Sequence, residues 1–297
     1  MKVISITEDT IVPFKKYCQE HRYEHDESYL YEEDMDDFDP FGPHPTWLLI
    51  NDDTIIGVLS LMLDDYFIAG HKTRLRIFHC LSNNLDHYKQ LIEAVEISNT
   101  SVKTLEMFLP NKVHKVQAIV KSLGFSYYRT AYVMVRKDQE PTFGTFSKPY
   151  SLKPFVHGED EVNYAHIRNT AFQTLKGSEA PLSSEVVKKL TNDPYLLKDG
   201  LQILWFHDTP VGVLRMVEEE DQSGKYSFVA PIALLPEHQG RGLGTQLLRA
   251  GIAIGQESGF DHCMLSVNAE NEQALGLYTK VGFIIDEAVS CLQKDYH

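Results

Sequence analysis

Cysteine is scarce in this chain. Cys18, Cys80, Cys263 and Cys291 are scattered over 297 residues, with no C-x-x-C pair and no cysteine–histidine ligand spacing. That argues against a disulfide scaffold and suits a reduced, intracellular chain with no structural zinc and no other metal site. Basic residues are also in deficit, 28 Lys and Arg against 42 Asp and Glu, for a formal charge of -14. A chain so charged is repelled by nucleic-acid backbones and anionic bilayers, so neither is an expected partner. Two readings of the acidity remain: attraction for a cationic ligand such as a protonated amine, and plain solubility. Long apolar runs are missing as well. None approaches the ~20 residues that span a bilayer, and the opening "MKVISITEDTIVPFKK" lacks the apolar core of a secretory leader. The expectation is a cytoplasmic protein with no membrane partner.

What is present is enough apolar residue, 43%, for a proper core, in a length that suits one large domain or two ordinary ones. The sequence repeats. "TWLLINDDTIIGVLSLML" (46–63) resembles "LQILWFHDTPVGVLRMV" (201–217), with Gly57 and Gly212 155 residues apart. "KSLGF" (121–125) answers "TKVGF" (279–283) at an offset of 158. A nearly constant offset implies two copies of one fold. The stretch 138–154, with three prolines and little periodicity, reads as the linker between domains at 1–140 and 150–297. In the second copy, periodicity predicts helices over 160–172 (face Val162, Ala165, Asn169, Phe172), 183–193, 243–257 and 270–281. Strands are expected over 201–206, 211–217, 226–235 and 262–267, with a last strand from Phe283 and a hairpin turn at 218–225. Such mixing describes an α/β domain.

Between the strand ending "IALL" and the helix at 243 lies "PEHQGRGLG". Glycine there forfeits roughly 1 kcal/mol per residue of helix propensity against alanine. In return it permits positive φ and close approach to the main chain. Several N–H groups at a helix start converge on an anion, most plainly a phosphate. The spacing is neither G-x-G-x-x-G, whose third position falls on Thr245, nor a P-loop, which needs Gly-Lys and then Ser or Thr. What remains is Q-x-x-G-x-G at Gln239, Gly242 and Gly244. With "SVNAENEQALGLYTKVGF" (266–283), carrying Asn271, Ala274, Tyr278, Gly282 and Phe283, this resembles the GCN5-related N-acetyltransferase (GNAT) family over 160–290. The tandem arrangement, and "NYAHIRNTAF" (163–172), resemble the mycothiol synthase family.

The resemblance implies two tandem GNAT-like domains, each a mixed, mostly antiparallel sheet flanked by helices. It also implies acetyl-CoA as cofactor. Its pantetheine arm would lie on the main chain of Ile232 and Leu234, with Leu235 near the thioester carbonyl and a nearby N–H as oxyanion donor. Its pyrophosphate would meet the N–H groups of Gln239, Gly240, Arg241, Gly242, Gly244 and Thr245. Arg241 is either a charge-assisted contact or a solvated loop residue. Asn271 is either a cofactor contact or the cap of the last helix. Tyr278 is either the acid that protonates the departing thiolate or a core residue in the stripe Ala274, Tyr278, Val281. No base stands in "FVAPIALL"; Glu218, Glu219, His262 and Ser266 stay open as candidates, as does a base from the first domain.

Opposite the glycine loop, the first copy has "LSNNLD" (81–86); opposite Tyr278 and Asn271 it has Val120 and Val113. It reads as a degenerate domain without the cofactor motif, the second as catalytic. The acidic run "EHDESYLYEEDMDDFDP" (24–40) is either an attractor for a cation or a solvated face. The expected activity is acetyl transfer from acetyl-CoA to a primary amine of a small molecule. Alternatives are a peptide or protein N-terminus as acceptor, and a non-catalytic acyl-CoA sensor.

Overall fold

A computed structural model describes residues 1–21, 24, 38–98, 101–137, 140–178, 180–221 and 224–296. Residues 25–37 of the acidic run lie outside the described residues. The chain divides into two compact units, one of Met1–Thr130 with Ala288–His297, the other of Ala131–Glu287.

In chain order the first unit contains β1 (Lys2–Ser5), α1 (Glu8–His21), β2 (Thr46–Asn51), β3 (Thr54–Met62), α2 (Asp65–Ala69), β4 (Lys72–Cys80), α3 (Leu85–Glu93), β5 (Thr104–Pro110) and α4 (His114–Ser122), and β6 (Ser126–Arg136) begins in it. The second continues with β7 (Tyr150–Pro154), α5 (Glu161–Phe172), α6 (Ser184–Leu190), β8 (Leu196–Phe206), β9 (Thr209–Asp221) and β10 (Gly224–Leu234). A 3₁₀ turn (Pro236–His238), α7 (Leu243–Glu257), β11 (Cys263–Asn268) and α8 (Glu272–Lys280) follow, and β12 (Ile284–Asp295) returns to the first unit.

The two sheets share one plan. Unit 1 runs β1-β2-β3-β4-β5-β12 with β4–β5 parallel and its other pairs antiparallel. Unit 2 runs β7-β8-β9-β10-β11-β6 with β10–β11 parallel and the rest antiparallel. The repeated glycines hold equivalent places, Gly57 opposite Cys80 and Gly212 opposite Leu234. Neither has room for a side chain: a Cβ would lie 2.8 Å from Cys80 Sγ in one and 2.6 Å from Leu234 Cδ2 in the other. This close approach explains why a glycine recurs at both places.

The units are drawn differently from the domains expected at 1–140 and 150–297. Residues 131–136 of β6 pair with β11, so unit 2 takes its outer strand from before the expected linker. Residues 289–295 of β12 pair with β5, so unit 1 takes its last strand from the chain's end. Nor is 138–154 a free tether where it is described. Thr142 N–H donates to Gln256 Oε1 (3.1 Å), Thr145 N–H to Gln246 Oε1 (3.0 Å), and Tyr150–Pro154 pairs with β8. Proline content marks the chain's irregularity there, and the side chains of α7 capture it.

The helices of unit 2 follow the expected spans, with one face misread. On α5 the buried residues are Glu161, Tyr164, Ala165, Ile167 and Arg168, while Val162 is 68% exposed. Asn169 instead clamps the next segment, donating to Leu182 O (2.8 Å) and accepting from Leu182 N (2.9 Å). A polar clamp had been scored as an apolar stripe. In unit 2, α7 buries Leu247, Leu248 and Ile252, each such side chain stabilising the fold by roughly 1.5–3 kcal/mol.

A fragment of residues 150–297 lacks β11's antiparallel partner and leaves a bare sheet edge, a template for aggregation. It is expected to aggregate or melt well below the full chain in size-exclusion and thermal unfolding. A monomeric fragment with a full-chain melting temperature would refute the place of 131–136 in unit 2.

Candidate active site

The parallel pairing of β10 with β11 covers Ser227–Val229 against Cys263–Leu265 and then stops. Beyond it β10 bulges between Val229 and Ile232 and continues along β9 alone, as Ile232↔Leu214, Ala233↔Val213 and Leu234↔Gly212. The bulge is anchored: Arg215 on β9 donates from Nη1 to Ala230 O (3.2 Å) and pairs with Asp193. The result is an opening between the end of β10 and residues 266–268 of β11.

Which groups face that opening follows from antiparallel geometry, where bonded and non-bonded pairs alternate. Leu235 N–H donates to Val211 O (2.9 Å), so Leu235 and, two residues back, Ala233 are committed to β9. Ile232 and Leu234 therefore turn their main-chain groups into the opening. Leu234 O accepts from Gln239 Nε2 (2.9 Å), which leaves its N–H. Leu235's own amide is thus committed to Val211, and the nearby N–H left toward the opening is that of Leu234.

The loop behaves similarly. Gln239 N–H closes the 3₁₀ turn on Pro236 O (3.1 Å), so Gln239 enters the site through its side chain and not, as expected, its amide. Gly240 (φ 71°) and Gly242 (φ 79°) are left-handed, a conformation costing other L-residues roughly 1–2 kcal/mol. A Cβ on either would meet nothing within 4 Å, so backbone angle and not crowding requires glycine here. Gly244 differs: its Cβ would lie 2.7 Å from Leu277 Cδ1 on α8. Gly242 is the N-cap of α7 with no side-chain cap bond. Among the described residues, nothing takes the amides of Gly240, Arg241, Gly242, Gly244 or Thr245. Those amides lie at the positive end of a 15-residue helix, an arrangement that favours negative charge. Arg241 is held by its own loop, Nη2 to Glu237 O (3.0 Å) and Nη1 to Tyr150 Oη (3.5 Å).

On α8, Asn271 caps the helix, accepting from Ala274 N at 3.1 Å. Tyr278 is 9% exposed and packs in one core with Leu234, Leu235 and Phe283. Burial pushes its phenol up to about 12, so it holds its proton at neutral pH. Among the described residues no group bonds its hydroxyl.

Residues 167–283 match the model of the acetyltransferase (GNAT) family. That match lies wholly within unit 2. The chain is 28% identical over 143 residues to a mycothiol acetyltransferase of Pseudarthrobacter chlorophenolicus, covering 45% of this chain and 42% of that one. It is 27% identical over 269 residues to a mycothiol acetyltransferase of Acidimicrobium ferrooxidans, covering 85% and 83%. The chain thus spans under half of the first relative and most of the second. Among solved structures, a tandem GNAT protein from the clavulanic acid biosynthesis pathway superposes with a TM-score of 0.66 at 13% identity, covering 99% of this chain and 98% of that one. That likeness is one of fold.

Within unit 2 the candidate bases separate by position. Glu218 is paired with Lys225, Glu219 lies opposite Tyr226, and His262 O accepts from Ser227. All three lie near the start of β10, about seven residues or ~23 Å along the strand from Leu234. Ser266 alone is beside the opening, exposed and just past the last paired residue. Sequence reasoning missed Arg215, the Gln239 side chain, and the Tyr150–His238 contact (3.0 Å) beside Phe206. Only the position of His238, next to Gln239, was a signal for any of them.

In unit 1 the corresponding helix, α3, is self-capped: Asn84 Oδ1 accepts from Asp86 N (2.9 Å), and the Asp86 carboxylate occupies the first turn.

Replacing Asn271 with Ala should remove the α8 cap and cost about 1 kcal/mol in urea unfolding, while Asn271→Ser should restore most of it. Equal stability in Ala and wild type would show that the cap contributes nothing.

Proposed function

We propose that this chain is an acetyl-CoA-dependent N-acetyltransferase acting on the primary amine of a small molecule, by direct attack with both substrates bound. The carrying observation is the main-chain edge at Ile232 and Leu234, which among the described residues no strand pairs on its β11 side, followed within ten residues by a helix start with no side-chain cap. Acetyl-CoA, when bound, supplies an activated thioester whose acetyl group passes to the amine nitrogen as coenzyme A leaves as the thiol.

Each remaining task falls to a residue already placed. The amides of Gly240, Arg241, Gly242, Gly244 and Thr245 bind diphosphate charge, helped by the α7 dipole. Ile232 and Leu234 bind the amide-bearing arm much as a strand adds to a sheet edge. Leu234 N–H stabilises charge on the acyl oxygen. Tyr278, protonated and with no hydrogen-bond partner among the described residues, donates to the departing sulfur. An alkylamine of pKa ~10.4 costs about 4–5 kcal/mol to neutralise at pH 7. Ser266, beside the opening, holds the water that takes that proton. The net charge of -14 favours a cationic acceptor. The name the two relatives carry, mycothiol acetyltransferase, supports acyl transfer to a small molecule. Unit 1, with Asn84 and Asp86 at its helix start, is silent.

Thiol release over a panel of primary amines, with calorimetry, tests this. Turnover and one acetyl-CoA per chain are expected; tight binding without turnover on any amine would make the protein an acyl-CoA sensor, and two sites would overturn a silent unit 1. Tyr278→Phe should keep acetyl-CoA affinity and lower kcat on the order of 10²-fold. The raised phenol sets the pH sign: wild-type kcat should show no descending limb from this group below about pH 11. Gly242→Glu places a carboxylate at the helix start in open space and should abolish acetyl-CoA binding while lowering Tm by only a few degrees, about 1–2 kcal/mol of backbone strain.

A further inference from the structure

By sheet register Val58 faces His79 in unit 1 as Val213 faces Ala233 in unit 2. His79 therefore replaces a small apolar residue at the end of β4, at 1% exposure. Burying an imidazole is unfavourable unless its nitrogens are satisfied. Here three polar side chains gather round it. Tyr17 Oη on α1 lies 2.6 Å from Nδ1, and Glu24 Oε2 lies 3.2 Å from Nε2. The other carboxylate oxygen, Glu24 Oε1, lies 2.6 Å from Nδ1 of His21. One carboxylate bridges two imidazoles whose ring centres are 5.2 Å apart.

The donor atoms of His21, Glu24 and His79 all lie within 4.8 Å of one another. Two imidazole nitrogens and a carboxylate oxygen are the donor set of a four-coordinate zinc site with one position left for water. With bonds of about 2.1 Å, tetrahedral donors sit roughly 3.4 Å apart, inside that span. We propose that His21, Glu24 and His79 bind a divalent transition-metal ion, zinc foremost, at the end of β4 in unit 1. The ion displaces the contacts between Glu24 and the two rings, and each ring ligates through the nitrogen that carries its lone pair, its proton residing on the other nitrogen. Nε2 of His79 then carries the lone pair, and its Nδ1–H donates to the Tyr17 oxygen. That makes Tyr17 a positioning residue that fixes the tautomer. Mixed nitrogen and oxygen donors select against calcium and magnesium, which take oxygen sets. The sequence hid the site because His21 and Glu24 are separated by two residues while His79 lies 55 residues beyond Glu24.

The untagged full chain, stripped with a chelator, is titrated with zinc against a chromophoric competitor, and cobalt(II) is added in parallel. One tight zinc per chain and the visible absorption of four-coordinate cobalt are expected, with excess calcium without effect. His21→Ala and Glu24→Gln change groups that reach the surface; each should weaken zinc on the order of a hundredfold with melting temperature of the stripped protein unchanged. Tyr17→Phe should weaken it about 10–100-fold. Zinc affinity equal in wild type, His21→Ala and Glu24→Gln, or no zinc held against the competitor, would reduce the cluster to a hydrogen-bonded network and overturn the site.

Discussion

Beyond Val229, strand β10 has a neighbour on one side only, and the rest of the site depends on that. A backbone edge inside a protein needs partners, and a buried polar group left without one costs about 1–3 kcal/mol. Alternation along β9 decides which residues are left over: Leu235 is bound to Val211, so Ile232 and Leu234 are the ones that face away. The side chains nearby reinforce the gap. Arg215 holds the Ala230 carbonyl at the bulge, and Gln239 takes the Leu234 carbonyl, so the remaining donor at Leu234 is singled out by its surroundings.

The same strand logic explains how the chain is divided. Each unit needs a sixth strand beside the partner of its one parallel pair. Residues 131–136 serve β11 and residues 289–295 serve β5, so neither copy is closed by its own last strand as the chain order alone would suggest. Two homologous halves can differ at most positions and keep this arrangement, because register fixes only which residues face inward. Gly57 and Gly212 persist since any side chain would collide with the adjacent strand.

Much of unit 2 was legible in the sequence. Long periodic stretches such as 243–257 carry their own signal, and glycines at 240 and 242 announce left-handed backbone before a helix. What was not legible is what depends on hydrogen-bond parity or on distant partners. No local pattern reports that Leu235 and Gln239 have committed amides, that Arg215 reaches Ala230, or that Glu218, Glu219 and His262 lie at the wrong end of β10. Val162 was misassigned for a related reason: α5 turns a mixed face inward, with Arg168 and Asn169 bonded to the 180–182 segment. Apolar periodicity is blind to a polar clamp. Composition hid the site in unit 1 as well, because few cysteines say nothing about ligands drawn from histidine and glutamate.

One frame thus carries two different strand ends. In unit 2 the helix after the strand starts on Gly242 with no side-chain cap, and its orphan amides retain the positive field that attracts an anion. In unit 1 the Asn84 side chain caps the equivalent helix by accepting from the Asp86 amide, and the Asp86 carboxylate in the first turn cancels part of the field. The strand ends diverge in the same sense: Ala233 of β10 leaves the core apolar, while His79 of β4 brings an imidazole, a phenol and a carboxylate together. On the proposed function no arm of an acyl carrier lies against that strand end in unit 1, so nothing there requires it to be apolar. Polar ligands can accumulate there at the cost of one buried ring, provided each nitrogen finds a partner, and Tyr17 and Glu24 are those partners.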